Sequence, residues 1–199
     1  MKRIVGLGIA AALALVASPA AGQGIMAGWV NAGAKITEDG RDIDTGRRDG
    51  FTAGVVFAHE AGFIGFRTEA LYTQKGFTVG SGDTQLSLNS AYIDVPIMLK
   101  VDVQIVRAYA GPQLSFRVSC SLDGPTPANP INPGSNSESC SEDVEFFDFG
   151  IKAGVGAKIA IFTVDLVGSM GTKNFAKVNK DIINAKNETI ALVLGLSMP

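Results

Sequence analysis

The fold this sequence predicts is all-β: an eight-stranded, antiparallel, up-and-down transmembrane β-barrel. Three observations predict it. Apolar and polar residues alternate along several stretches of ten residues or more, longer than the usual five or six of a globular sheet and near the roughly 9–11 that a tilted strand needs to cross a bilayer. The connections between these stretches alternate long and short, the order of a barrel with tight periplasmic turns and long external loops. Glycines gather on the polar parity of the strands, where a narrow lumen has little room for side chains.

The strands follow in order. "GIMAGWVNAGAKI" (24–36) is the first, and its small residues and Trp29 leave its parity open. A polar stretch, 37–49, precedes "GFTAGVVFAH" (50–59), which a tight "EAG" joins to "FIGFRTEALYTQKGFTV" (63–79). "SAYIDVPIMLK" (90–100), continuing to Val103, splits cleanly by parity: Ile93, Val95, Ile97 and Leu99 on one side, Tyr92, Asp94, Pro96, Met98 and Lys100 on the other. A brief turn leads to "IVRAYAGPQLSFRV" (105–118), a Pro/Ser/Asn-rich loop to "VEFFDFGIKAGVGAKI" (144–159), a short turn to "IFTVDLVGSM" (161–170), and a Lys/Asn-rich loop to "ETIALVLGLSM" (188–198).

Across these strands one face reads Val55 and Phe57, then Phe66, then Ile93, Val95, Ile97 and Leu99, then Leu114 and Phe116, and finally Leu192 and Leu194, with no charge inside these runs. These are the expected lipid-facing positions. The other face carries Arg67, Glu69, Asp94, Lys100, Arg107, Arg117, Asp148, Lys152 and Asp165. A soluble periplasmic ligand-binding barrel would bury the first face and wet the second; a membrane barrel does the reverse. The glycines on the polar face, and aromatics near strand ends on the apolar one (Phe51, Phe57, Phe66, Phe116, Phe147, Phe162), favour the membrane. Open edges cannot face hydrocarbon, so the last strand is expected to pair with the first. The charges then form a paired network that fills the lumen, because buried charges persist only when paired.

Charged residues make up 18% of the chain, below the quarter usual for soluble domains. The net charge of −2 and the scattered basic residues offer nothing for nucleic acid. Residues 1–22 read as a secretory signal peptide: Lys2 and Arg3, an apolar run Ile4–Val16, then small residues with cleavage after Gly22 or Ala20. That leaves 23–199 as one barrel domain. Export favours a disulfide between Cys120 and Cys140, closing a loop worth roughly 3 kcal/mol.

The residues point to no chemistry: no catalytic, cofactor-binding or metal site is expected. The single histidine, His59, sits in the tight turn "FAHEAGF" with Glu60 and lacks a serine partner. The acidic and basic loop around Glu38, Asp39, Asp42, Asp44, Asp49, Arg41, Arg47 and Arg48 could touch a divalent cation or lipopolysaccharide, but Gly46 breaks a cation-loop series.

"ALYTQKGF" (70–77), "YIDVPIMLK" (92–100) and "AYAGPQLSF" (108–116), with "FGIKAGVGAKI" and "LVLGLSM" behind them, resemble the PorT-like outer-membrane β-barrel domain family over roughly residues 24–198. The resemblance implies residence in the outer membrane of a Gram-negative bacterium, with outer-membrane lipid, lipopolysaccharide and the barrel assembly machinery as partners. It implies no defined activity; a structural or surface-interaction role, with a surface or envelope protein partner, is the expectation. A lipid-modifying enzyme and a secretion-complex component are alternatives. The chain departs from many such barrels by ending Ser197-Met198-Pro199 rather than on an aromatic residue.

Overall fold

A computed structural model of the chain describes residues 22–38, 41–43, 45–80, 86–123, 146–172 and 183–198. Among them run nine strands and no helix: β1 (Gly22–Glu38), β2 (Arg41–Ile43), β3 (Gly46–Ala61), β4 (Ile64–Val79), β5 (Leu86–Val103), β6 (Val106–Asp123), β7 (Phe147–Ile159), β8 (Phe162–Gly171) and β9 (Ile183–Met198). Eight of them form the barrel wall. Each wall strand pairs antiparallel with the next along the chain, and β1 pairs with β9 from Gln23↔Met198 to Glu38↔Ile183, which closes the ring.

The ninth strand is a difference from the sequence reading. The polar stretch 37–49 reads as loop, yet β1 runs to Glu38, the short β2 pairs back onto it (Ile36↔Ile43), and β3 begins at Gly46. Likewise β6 continues to Asp123 and β9 starts at Ile183. Polarity marks where a strand leaves hydrocarbon. It does not mark where backbone pairing stops, because water does not forbid a ladder. The resulting strands of up to 18 residues exceed the roughly 9–11 that cross a bilayer, so the wall stands above the membrane on the loop side.

At the opposite end the turns are two residues long: Gly62–Phe63, Gln104–Ile105 and Ala160–Ile161. The first residue of each is left-handed, with φ of 74°, 56° and 54°, a conformation that matches the twist of the strands it joins. These three short turns mark the periplasmic end.

Residues paired across antiparallel strands share a face, so the register assigns inside and outside. Ile93↔Phe116, Val95↔Leu114 and Leu114↔Phe149 continue one apolar face from β5 to β7. Leu166↔Leu192 and Leu192↔Trp29 carry it over β8 and β9 to β1. Trp29↔Phe51 on β3, Phe57↔Thr68 on β4 and Phe66↔Leu99 on β5 complete the circuit. This apolar belt is the outside of the barrel: Ile97 is 48% exposed, Phe66 60%, Leu192 49% and Leu194 60%. Val55 and Leu99 are also exposed, and Phe57, Ile93, Val95, Leu114 and Phe116 are half-buried against their neighbours. A soluble barrel would turn this face inward, so that alternative fails. The belt is edged by aromatics at both levels: Trp29 and the Phe51–Tyr72 and Phe116–Phe147 ring pairs (5.6 and 5.4 Å) on the external side, and Phe57, Phe63, Phe66 and Phe162 on the periplasmic side.

The open parity of the first strand is resolved. Ile25 and Trp29 point out; Met26, Val30, Ala32 and Ala34 are buried inside. With Val167, Ala191 and Val193 from β8 and β9, and Leu71 and Met98 from across the lumen, Met26, Val30 and Ala32 build an apolar cluster in the interior. The lumen is therefore half apolar, a feature the sequence reading missed.

Candidate functional site: the charged lumen

The other half of the lumen is ionic. β4 sends Arg67 and Glu69 inward on successive inner positions, and Glu69 is fully buried. Arg67 Nε donates to Glu69 Oε1 at 2.6 Å, and Lys152 Nζ from β7 donates to Glu69 Oε2 at 2.5 Å. Arg107 from β6 forks onto Asp165 of β8, with Nε donating to Oδ1 at 2.7 Å and Nη2 bonding Oδ2. Arg67 Nη2 also lies 3.4 Å from Asp165 Oδ2, so the two clusters join. Four strands are thereby tied across the interior by one set of charge-assisted hydrogen bonds. The Arg67 guanidinium also stacks over the Tyr109 ring, 4.2 Å from its centroid.

A second tier lies toward the external end. Lys75 donates to Asp94 at 2.8 Å and to the Ser115 hydroxyl at 3.2 Å, and stands 4.6 Å over the Tyr92 ring. Asp148 is buried and accepts from Asn187 at 3.2 Å through Oδ2, while Oδ1 has no partner among the described residues. Near the periplasmic mouth Lys100 reaches Glu60 at 2.5 Å and Asp102 at 2.7 Å.

Of the charges expected inside, Arg67, Glu69, Asp94, Lys100, Arg107, Asp148, Lys152 and Asp165 are buried there, and Arg117 is half-buried above them. Lys75 was missed. Its signal is present in the sequence: Arg67, Glu69, Leu71, Thr73 and Lys75 share one parity, and the strand does not end before Gly76. Glu60 and Asp102 were missed because they sit at strand ends, where parity is least secure. Cys120 lies beside Ser90, with Oγ to Sγ at 3.3 Å; Cys140 lies outside the described residues. The loop acids and arginines from Glu38 to Asp44 fall where no side chain is described. His59 is exposed near the β3–β4 turn. No metal-ligating cluster exists among the described residues.

The glycines leave the room that this packing uses. A Cβ on Gly154 would lie 2.5 Å from the Tyr109 ring, and one on Gly156 would collide with the Asp165 carboxylate. Gly154→Val is expected to cost about 1–3 kcal/mol by overpacking, and adding Tyr109→Leu should recover part of it. Denaturant midpoints of the single and double variants in detergent check this; additive losses would place Tyr109 elsewhere.

Two recesses flank the network. An external cleft of about 400 Å³ is lined by residues such as Arg48, Lys75, Ser90 and Cys120, and a periplasmic one of about 350 Å³ by residues such as Met26, Glu60, Arg67 and Lys100. They share no lining residue.

A closed antiparallel barrel with an apolar belt outside and an ion-paired interior belongs to the class of integral outer-membrane β-barrels. The chain is a member of the outer membrane protein beta-barrel domain family, whose model matches residues 24–176, and its place is the outer membrane of a Gram-negative bacterium. A comparison with curated protein sequences finds no match. Among solved structures it is similar to Ail, the attachment invasion locus protein of Yersinia pestis, in complex with the heparin analogue sucrose octasulfate: 17% identity, TM-score 0.52, covering 89% of this chain and 99% of that one. It is also similar to Neisserial surface protein A, at 16% identity and TM-score 0.53, covering 87% and 96%. At these identities the likeness concerns the fold.

Proposed function

We propose that the protein is a non-conducting, non-enzymatic outer-membrane barrel that holds external segments rigidly for contact with the surface environment. The observation that carries this reading is the Glu69-centred network, which joins β4, β6, β7 and β8 across the lumen between two recesses with no common wall. A barrel so filled offers an ion no continuous aqueous path. What differs between such barrels then lies in what the wall carries above the membrane, as loops carry function on rigid scaffolds generally.

Its expected partners are outer-membrane lipid and lipopolysaccharide, the assembly machinery that inserts it, and a surface or envelope protein. A signal peptide over residues 1–22 and a Cys120–Cys140 bond that ties the loop after β6 back to that strand belong to the same reading. The motif resemblance to the PorT-like group stands as a finer assignment within it, with membership of a secretion complex tested by co-purification from native membranes.

Planar-bilayer recording tests the core of the proposal. The purified barrel is expected to give no steady ionic current, and the triple variant Arg67→Ala/Glu69→Ala/Lys152→Ala, if it still folds, small steps of current. Steady conductance from the unaltered protein would refute the filled interior.

A further inference from the structure

The apolar belt does not stop short of the periplasmic turns. On the outer face the rungs that close the three hairpins are Ala61↔Ile64, Val103↔Val106 and Ile159↔Phe162. All of these but Ala61 are large apolar side chains, and all are exposed. The second residue of each turn is apolar too: Phe63 is 67% exposed, Ile105 57% and Ile161 50%. Turn geometry does not ask for them, since tight turns in water favour Gly, Asn, Asp and Ser. A contiguous apolar surface of this kind marks a place of contact. Among the described residues, the charges at this end have the other parity. Glu60 lies opposite Gly65, Asp102 opposite Arg107 and Lys158 opposite Thr163, and Lys100 is tied to Glu60 and Asp102. They ring the mouth of the lumen and leave the rim to apolar side chains.

Height says what covers this rim. Followed rung by rung from Gln23 through β3 to β9, the ladder returns to β1 at Gly33, ten residues on. An eight-stranded wall with that stagger tilts its strands by about 40°, so each residue adds about 2.6 Å of height. On β4 the outward run starts at Ile64 and meets its first amide at Gln74, ten residues and so about 26 Å higher. That matches the apolar band of an outer-membrane barrel, about 25 Å tall. The bilayer then uses the whole run, and its lower edge falls at Ile64, with Phe63 one residue further down. A protein that covered Phe63 and Ile64 instead would shorten the lipid-facing run to about 21 Å. At the same end His59 faces out opposite Phe66, one rung above the last, from where its ring reaches the headgroups.

We propose that the periplasmic rim is a lipid-binding surface. The three turns sit in the headgroup layer of the inner leaflet, with Phe63, Ile105 and Ile161 at its boundary with the acyl chains. The barrel therefore offers no wall to a partner in the periplasm, and contact with other molecules is left to the external segments. The inference rests on the reading that the apolar belt lies in the bilayer, and the experiment separates the two. Single cysteines replace Phe63, Ile105 or Ile161 in the full-length barrel carrying Cys120→Ser/Cys140→Ser. Each is labelled with an environment-sensitive fluorophore and refolded in phosphocholine bilayers that contain lipids bearing a nitroxide either near the headgroup or deep in the acyl chain. Val95→Cys and Thr78→Cys are the references inside the belt and above it.

The turn labels should be quenched by the shallow nitroxide well above the level seen at Thr78, and the Val95 label chiefly by the deep one. Turn labels that behave like Thr78 overturn the proposal, while quenching at Val95 leaves the membrane reading intact. A Val95 label that neither nitroxide quenches overturns the membrane reading and the rim with it. Turn labels open to aqueous iodide in phosphocholine bilayers but shielded from it in native outer membranes would name a protein partner and overturn the lipid. A second variant tests the sign. Phe63→Asp/Ile105→Asp/Ile161→Asp should lower the folded-to-unfolded ratio about tenfold in the same bilayers, read by urea titration, although aspartate suits a tight turn in water. An unchanged or higher ratio overturns the proposal.

Discussion

Replacing Glu69 by alanine is expected to destabilise the folded barrel by about 3–5 kcal/mol, among the largest losses any single substitution in this chain should cause. Glu69 is fully buried and accepts from both Arg67 and Lys152. Its removal leaves Arg67 with Asp165 as its one carboxylate among the described residues, 3.4 Å away and already forked by Arg107, and leaves Lys152 facing a buried space without its carboxylate. The loss is the desolvation of two cations, not the strength of two hydrogen bonds. A triple variant that removes the cations as well, Arg67→Met/Glu69→Ala/Lys152→Met, should therefore be more stable than Glu69→Ala alone. Equilibrium urea unfolding followed by Trp29 emission measures both. A single variant within about 1 kcal/mol of the parent would mean that water reaches Glu69 and that the network is not a packed one.

Ile97→Arg is expected to have the next largest effect, about 2–4 kcal/mol if the side chain meets the middle of the bilayer. Ile97 lies midway along the outward-facing run of β5 and is 48% exposed. An exposed position on a soluble barrel would accept arginine at almost no cost and gain solubility. In hydrocarbon the same change puts an unpaired charge where no partner faces it, since the neighbours across the ladder, such as Thr68, are uncharged. Folding in bilayers, read by the loss of heat-modifiable gel mobility, should fall sharply for Ile97→Arg and hardly at all for Thr78→Arg, nearer the external end of β4. Equal tolerance at both positions would remove lipid from the account of the belt.

The barrel was legible in the sequence because one physical demand, lipid on one side and a narrow lumen on the other, imposes the same two-residue alternation on strand after strand. β5 shows it most clearly: Ile93, Val95, Ile97 and Leu99 face out while Asp94 and Lys100 face in. The signal fades where both faces are apolar. In β9, Ile190, Leu192 and Leu194 look outward while Ala191 and Val193 look into the apolar half of the lumen, so composition alone does not separate them. β1 fades for a related reason: its small residues fit either side, and only its register with Phe51 and Leu192 places Trp29 outside. Which charges pair was not legible. Arg67 meets Asp165 across 98 positions of sequence, a contact fixed by closure of the ring rather than by any local spacing. The extension of β1 to Glu38 and of β3 back to Gly46 was hidden by polarity, since residues above the membrane lose the apolar mark but keep their backbone partners. The same blindness concealed the Lys35–Lys186 pair, which exists only because β1 and β9 meet.

Single cysteines placed at Val95, Leu192, Asp94 and Gln113 in a Cys120→Ser/Cys140→Ser background, and labelled in intact bilayers, test which side of the wall is which. Val95 and Leu192 should react with a lipid-dissolved maleimide and resist a water-soluble one, while Asp94 and Gln113 stay beyond reach of the lipid-dissolved reagent. If Val95 and Leu192 proved shielded inside packed protein, with Asp94 or Gln113 labelled around the perimeter, the wall would be inside out and the account wrong.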